Sequence, residues 1–279
     1  MLSDLLYQWS SLSIAVALLF LMVLTNELGF RLGRFIQKNT DDEIKSLTGA
    51  IQGSILGLLA LLLGFTFSMS MQRYDSRVMS LVSESNAIGT TVLRAQLLSS
   101  PYKEQSLAHL EDYVDNRIAI SAIDITRDDE RQAFDEKTAL LQKQLWSIAI
   151  KAVKAEPVAV TSGNYLTALN ELIDAQSQRN AFLVTRVPDV VLILLFTVFL
   201  SSGAILGYSS GLSDKRVLAP TLLVSFLLAT IVFIIMDLDR PKRGYIKVDQ
   251  NNLYELKLLF EQPVANNHSL TNIDQLSRL

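Results

Sequence analysis

Charged residues crowd the end of the last apolar stretch of this chain. The run MDLDRPKRG places Asp237 and Asp239 two residues apart and follows them with Arg240, Lys242 and Arg243. Two neighbouring carboxylates are the beginning of a divalent-cation site, but such ions want six or more oxygens. The chemistry that remains is electrostatic. These charges can ring the mouth of an aqueous path, pair with Arg73, Arg77 or Glu84, or anchor the helix at the membrane surface, with Pro241 stopping it. Arg73, Arg77, Glu84, Asp237, Asp239 and Arg240 are therefore the candidate mouth charges.

Catalytic chemistry finds little support. The chain has no cysteine, and its two histidines, His109 and His268, stand far apart. No HExxH helix, phosphate-cradling glycine loop or Ser–His–Asp grouping occurs. The sequence predicts no enzyme, no metal and no cofactor. A net charge of −3 without a basic, aromatic-rich patch also excludes nucleic acid as a partner.

The elements that position the charges are hydrophobic. Of 279 residues, 49% are apolar and only 19% charged. Four stretches reach the ~20 residues a helix needs to cross the bilayer core: Leu12 to Gly33, Leu47 to Met71, Val190 to Leu212 and Val217 to Leu238. The first lacks the basic flank and cleavage site of a signal peptide. The spacing of apolar residues in SLAHLEDYVDNRIAI, FDEKTALLQKQLWSIAIKAVKA and YLTALNELIDAQSQRNAFLVTRV predicts helices between the second and third spans. The expected fold is all-α: four transmembrane helices, as two hairpins, flank a large extramembrane helical domain. Its divisions are 1–71 (first hairpin), 72–187 (helical domain), 188–238 (second hairpin) and 239–279 (tail). Only GYIKVDQ reads as a candidate strand, and Pro188 suits the first turn of the third span.

The second span carries Gly49, Gly53, Gly57, Ala60, Gly64 and Ser68 on one helical face. Gly203, Gly207 and Gly211 repeat the theme in the third. Small residues let helices approach closely in lipid, so one reading is packing within a hairpin or between subunits. The other is a pore. Thr48, Gln52, Thr66, Ser68 and Ser70 add polar atoms in or beside the stripe, and Phe65 and Phe67 are candidates for a constriction that gates by dewetting. No Gly or Pro interrupts Phe65 to Ile88, which predicts one helix running on past the membrane. Along it Gln72, Ser76, Ser83, Asn86 and Thr90 continue the face in polar form. Glu84 has Arg94 or a neighbouring helix as its expected partner, and Glu27 and Arg31 are spaced as an i,i+4 pair.

Three blocks carry a resemblance: GFTFSMSMQRYDSRVMSLVSESNAIGTTVLRAQLL, TRVPDVVLILLF and DLDRPKRG. Together they resemble the bestrophin-like membrane protein family over roughly Leu47 to Leu256. That family is in turn distantly similar to the bestrophins, pentameric anion channels with four membrane segments per subunit and a helical cytosolic region. The resemblance implies a pore on the second span, with Phe65 and Phe67 at its neck. The bestrophin N-terminal signature and calcium-binding acidic cluster have no counterpart here.

Two functions stand side by side. One is a homo-oligomeric ion channel of four or five subunits, with anions as candidate permeant ions. The other is a non-conducting scaffold or sensor whose helical domain binds partners and whose glycines only pack. Both place the chain in a lipid bilayer, a bacterial inner membrane by its layout. Basic residues in the short loops and their flanks (Arg31, Arg34, Lys38, Lys45, Lys215, Arg216) put those loops inside, while Arg240, Lys242, Arg243 and Lys247 oppose them. Orientation stays open between the two.

Overall fold

The computed structural model describes residues 9–123, 128–213, 218–241 and 244–261. Lys215, Arg216, Val217, Lys242, Arg243 and His268 lie outside them. Eight helices make up most of the described chain: α1 (Ser11–Ile36), α2 (Asp42–Ala95), α3 (Tyr102–Ser121), α4 (Asp128–Ala155), α5 (Asn164–Val184), α6 (Asp189–Leu212), α7 (Leu218–Leu238) and α8 (Asn251–Glu261). No strand occurs among the described residues, and the candidate strand GYIKVDQ is irregular. Four of the helical stretches are long and apolar enough to cross a membrane.

Local chemistry sets the boundaries. Ser10 caps α1 by accepting the Ser13 N–H at 3.0 Å, satisfying one of the donors orphaned at a helix start. Pro188 is the N-cap of α6, where its missing N–H costs nothing, and its carbonyl takes the Val191 N–H at 2.9 Å. α2 runs 54 residues because nothing in it breaks a helix. Its glycines weaken it only modestly.

The chain divides into two compact units. The first takes residues up to Val78 and Asn180–Val248, and so holds α1, the first part of α2, α6 and α7. Its core joins Ile14, Leu18 and Met22 of α1, Leu59 and Leu63 of α2, Leu195 and Phe199 of α6, and Val232, Ile235 and Met236 of α7. α1 packs along α6 and also touches α7. Interlocking glycines set the α1–α6 contact. A Cβ on Gly29 would stand 2.1 Å from the Ala204 carbonyl oxygen, one on Gly33 2.2 Å from that of Tyr208, and one on Gly211 2.3 Å from that of Phe30. The tight glycine packing thus joins one hairpin to the other, not the two arms of a hairpin. Outside this core, Phe20, Leu24, Leu28 and Leu32 of α1 and Leu222, Leu223, Phe226 and Leu227 of α7 are exposed, a surface suited to lipid and not to water.

The second unit holds the remainder of α2, with α3, α4, the described α5 residues up to Arg179, and α8. A short π-helical turn, Ala159–Gly163, leads into α5. The buried Ser162 hydroxyl closes that turn by donating to the carbonyls of Glu156 and Val158. Leu110, Tyr113, Leu145, Ala149, Tyr165, Leu169, Leu172 and Leu253 are buried in this unit.

Candidate functional site

In the first unit, the second span presents two faces of opposite character. One carries Thr48, Leu59, Leu63, Thr66, Ser70 and Arg77, all buried. The other carries Gly49, Gly53, Gly57, Ala60, Gly64 and Ser68, all exposed, with Gln52 half-buried beside them. A Cβ on Gly49, Gly53, Gly57 or Gly64 would meet nothing within 4 Å. Thr48, Thr66 and Ser70 therefore stand away from the stripe, contrary to the expectation that they border it. The two threonine hydroxyls bond the carbonyls of Ile44 and Leu62 in their own helix, at 2.8 and 2.6 Å, which is how such side chains satisfy themselves in an apolar setting.

Phe65 and Phe67 do not share a face. At ~100° per residue they point roughly 160° apart. Phe67 lines an apolar groove against α7 with Leu56, Leu59, Val224, Leu228 and Ile231. Phe65 is 61% exposed. Phe67, still 41% exposed, borders the bundle together with Ala60 and Gly64 of the stripe, whereas Phe65 stands clear of that groove.

At the end of the span, the three sequence blocks converge on Arg77. Its Nε donates to the Phe182 carbonyl at 3.3 Å, Nη1 to that of Leu238 at 2.9 Å, and Nη2 to those of Thr185 and Asp239 at 3.0 and 3.1 Å. These carbonyls belong to the ends of α5 and α7, where helices leave acceptors unpaired and favour a cation. Asp239 turns both carboxylate oxygens to the Val187 N–H, at 3.0 and 3.2 Å, beside the start of α6. Asp237 accepts the Ser11 hydroxyl at 2.5 Å and the Ile246 N–H at 2.8 Å. Gly244 lies against that carboxylate, for a Cβ there would stand 2.7 Å from Asp237 Oδ2. Arg240 donates to the Trp9 carbonyl. Asp237, Asp239 and Arg240 are each at most 2% exposed, and through backbone groups and the Ser11 hydroxyl they tie segments together. Arg73 differs: its side chain is 18% exposed, and its Nε lies 3.9 Å from Asp239 Oδ1, too far for a hydrogen bond.

In the second unit, Glu84 is fully buried among cations. Arg117 reaches it through Nε at 2.6 Å and Nη2 at 3.3 Å, and Arg179 through Nη1 at 2.5 Å. The Tyr113 hydroxyl adds a bond at 3.2 Å. Burial alone pushes the Glu84 pKa up, but the Arg117 and Arg179 guanidiniums outweigh it and hold the carboxyl below its ordinary value. Burial, with the Glu84 charge beside it, drives the Tyr113 phenol far above its usual range. Of the two expected partners, Arg94 or a neighbouring helix, the second holds, while Arg94 donates to the Asn164 carbonyl at 3.0 Å. Arg117 and Arg179 were readable as unusual: each falls on the buried face of its helix, Arg117 with Tyr113, Val114 and Ile120, Arg179 with Leu172, Ala175 and Gln176. Farther along the polar side of α2, Ser83, Asn86 and Thr90 share a groove with Glu171, Asp174 and Gln178 of α5.

No group of three or more metal-ligating side chains is present among the described residues. None of the curated proteins matches this chain in sequence. A crystal structure of a bacterial bestrophin homologue from Klebsiella pneumoniae, a point variant, aligns with a TM-score of 0.63 at 16% identity, covering 88% of this chain and 97% of that one. Another structure of a bacterial bestrophin homologue from the same organism aligns with a TM-score of 0.60 at 17% identity over 88% and 95% of the two chains. These likenesses concern the fold. In sequence, the bestrophin-like domain matches over residues 19–253, which takes in all three blocks that meet at Arg77, the last three apolar spans and most of the first. The chain is an integral membrane protein and belongs to the bestrophin-like family.

Proposed function

We propose that this protein is a subunit of a homo-oligomeric ion channel in which the second span lines the pore. The observation that carries the reading is the contrast between two sets of glycines. Those of α1 and α6 are consumed in backbone-to-backbone packing, whereas Gly49, Gly53, Gly57 and Gly64 meet nothing within 4 Å. A scaffold whose glycines only pack has no use for a stripe of small residues with nothing on it. Around a shared axis of four or five subunits, the same stripe keeps a lumen wide, with Gln52 and Ser68 offering polar atoms to hydrated ions. Phe65, 61% exposed, and Phe67, 41% exposed beside Ala60 and Gly64 of the stripe, are both open to narrow that lumen.

In this organisation 1–71 and 188–238 are the membrane hairpins, 72–187 is the extramembrane helical domain, and 239–279 is the tail. A bacterial inner membrane is the expected location. Anions are the permeant class the bestrophin resemblance implies. Glu171 and Asp174, on the groove beside Ser83 and Asn86, favour cations instead, and reversal potentials in asymmetric salt separate the two.

The test is native mass in nanodiscs, followed by ion flux in liposomes, for the wild type and Gly57→Leu. A ring of four or more subunits that loses flux but not assembly on Gly57→Leu supports the channel. A stable monomer or dimer, or unchanged flux, removes it and leaves the scaffold.

A further inference from the structure

A pocket of about 250 Å³ lies on the flank of α2, where the helix passes from its apolar stretch to polar residues. Met69, Gln72, Arg73 and Ser76 form one wall, and Phe182 and Thr185, at the end of α5, form the other. The second wall is fixed in place, because Arg77 holds the carbonyls of both Phe182 and Thr185. Its two ends differ in chemistry: Met69 and Phe182 are apolar, while Arg73, Gln72 and the two hydroxyls are hydrogen-bonding groups. No lining residue is acidic.

The two arginines here are used differently. Arg77 spends its donors on four carbonyl oxygens, but the buried Arg73 Nε has no hydrogen-bond partner among the described residues. Its nearest carboxylate, Asp239, is 3.9 Å away and already occupied by the Val187 N–H. A buried donor left without an acceptor is costly, and an anion in the pocket that Arg73 lines would offset that cost through the charge of the whole guanidinium. The Ser76 and Thr185 hydroxyls bond the carbonyls of Gln72 and Ala181, each at 2.8 Å, and hydroxyl hydrogens can rotate to a better acceptor.

We infer that this pocket binds a phosphate group, with the Arg73 guanidinium forked onto its oxygens and Gln72, Ser76 and Thr185 completing the shell. A planar fork suits a phosphate with several oxygens better than a spherical halide. The depth favours a phosphate carried on a lipid. The site sits where the apolar span ends, the level of the headgroups, and basic pockets between membrane helices take such groups. Met69 and Phe182 then face the glycerol end. A phosphate free in water offers the same chemistry to Arg73. The site stands whether or not the protein conducts.

The experiment compares wild type, Arg73→Lys and Arg73→Gln in two measurements. Native mass spectrometry from mild detergent counts phospholipid retained per subunit, and thermal melts at constant ionic strength follow the response to inorganic phosphate. Wild type is expected to retain phospholipid about tenfold more strongly than Arg73→Gln, the worth of one charged fork, with Arg73→Lys between them. Retention of lipid without a response to inorganic phosphate assigns the site to lipid. A phosphate-dependent melt that Arg73→Gln abolishes, without lipid retention, assigns it to the soluble ion. Equal behaviour of wild type and Arg73→Gln in both measurements overturns the proposal. If Arg73→Gln does not assemble, Gln72→Leu takes its place, and unchanged binding there overturns it equally.

Discussion

Gly207 of α6 lies so close to Asn26 of α1 that a Cβ on the glycine would stand 1.9 Å from the Asn26 carbonyl oxygen. The Asn26 side chain reinforces the contact by donating to the Gly203 carbonyl at 3.2 Å. Backbone oxygen cannot step aside as a flexible side chain would, so the two helices must separate to admit even one methyl group. Gly207→Ala should destabilise the protein by about 1–3 kcal/mol, the usual cost of overpacking. Gly57→Ala, with open space above it, should change stability by no more than ~1 kcal/mol, in the stabilising direction, through helix propensity. Thermal melts of the two variants in one detergent check this, and equal losses would remove the distinction between packed and open glycines.

Glu84 holds two buried guanidiniums, and its loss leaves both without their carboxylate. Glu84→Gln should cost about 3–5 kcal/mol, as removal of one partner from a buried ion pair does. Glu84 also gives the stability a pH dependence. Its pKa is lower in the folded protein than the ordinary 4.5, so the unfolded chain takes up the proton first as pH falls. The Glu84 contribution is fully present above about pH 4.5 and disappears as pH falls through the folded value. Denaturation at stepped pH should show that acid loss shrink in Glu84→Gln; an unchanged acid limb would count against the assignment.

Arg77 is expected to resist even a conservative change. Lysine keeps the charge but cannot spread its donors across the carbonyls of Phe182, Thr185, Leu238 and Asp239. Arg77→Lys should lose about 2–4 kcal/mol, the cost of leaving several buried carbonyls unmatched, and should lower the yield of assembled protein. A variant with wild-type melting behaviour would show that the clamp is dispensable.

Phe65 is the change expected to alter conduction without altering the fold. Its ring is mostly exposed in the chain, so Phe65→Ala leaves no core cavity. Under the channel reading it should raise flux several-fold by widening a dewetting constriction. Phe67→Ala should in addition cost stability, by opening the groove against α7. Flux following Phe67 alone would place the constriction on that ring.

Much of the architecture was legible because lipid enforces long apolar runs. The windows ending at Gly33, Met71 and Leu212 fall within helices, as do the described residues of the one ending at Leu238, and the uninterrupted helix past Phe65 follows from the absence of proline. Pairing was not legible. Gly29 and Gly33 of α1 are the surfaces that receive α6, yet the stripe on α2 is the more conspicuous pattern in the sequence. A glycine reports that something can come close, not what does. A neighbouring helix was one expected source of a partner for Glu84, but which residues it would supply was hidden for a related reason: Arg94 is near in sequence, whereas Arg117 and Arg179 arrive from other helices. Their trace was an arginine at an apolar register, in YVDNRIAI and in ELIDAQSQR. The mouth charges were read by type, and burial separates them. Asp239 and Arg240 serve backbone groups and Asp237 a backbone N–H and the Ser11 hydroxyl, while Arg73 keeps an uncommitted Nε.

The fastening of α8 has a consequence for how the polypeptide is made. Arg179 holds Glu84 with one terminal nitrogen and the Gln250 side chain with the other, at 2.8 Å. Lys257 pairs with Asp115 at 2.7 Å, and Leu253 is buried. The segment that supplies Gln250, Leu253 and Lys257 is translated only after α6 and α7. The second unit therefore remains unfinished while the ribosome is still delivering the last two spans to the bilayer. Closure of the helical unit waits for the stretch of chain made after the last span.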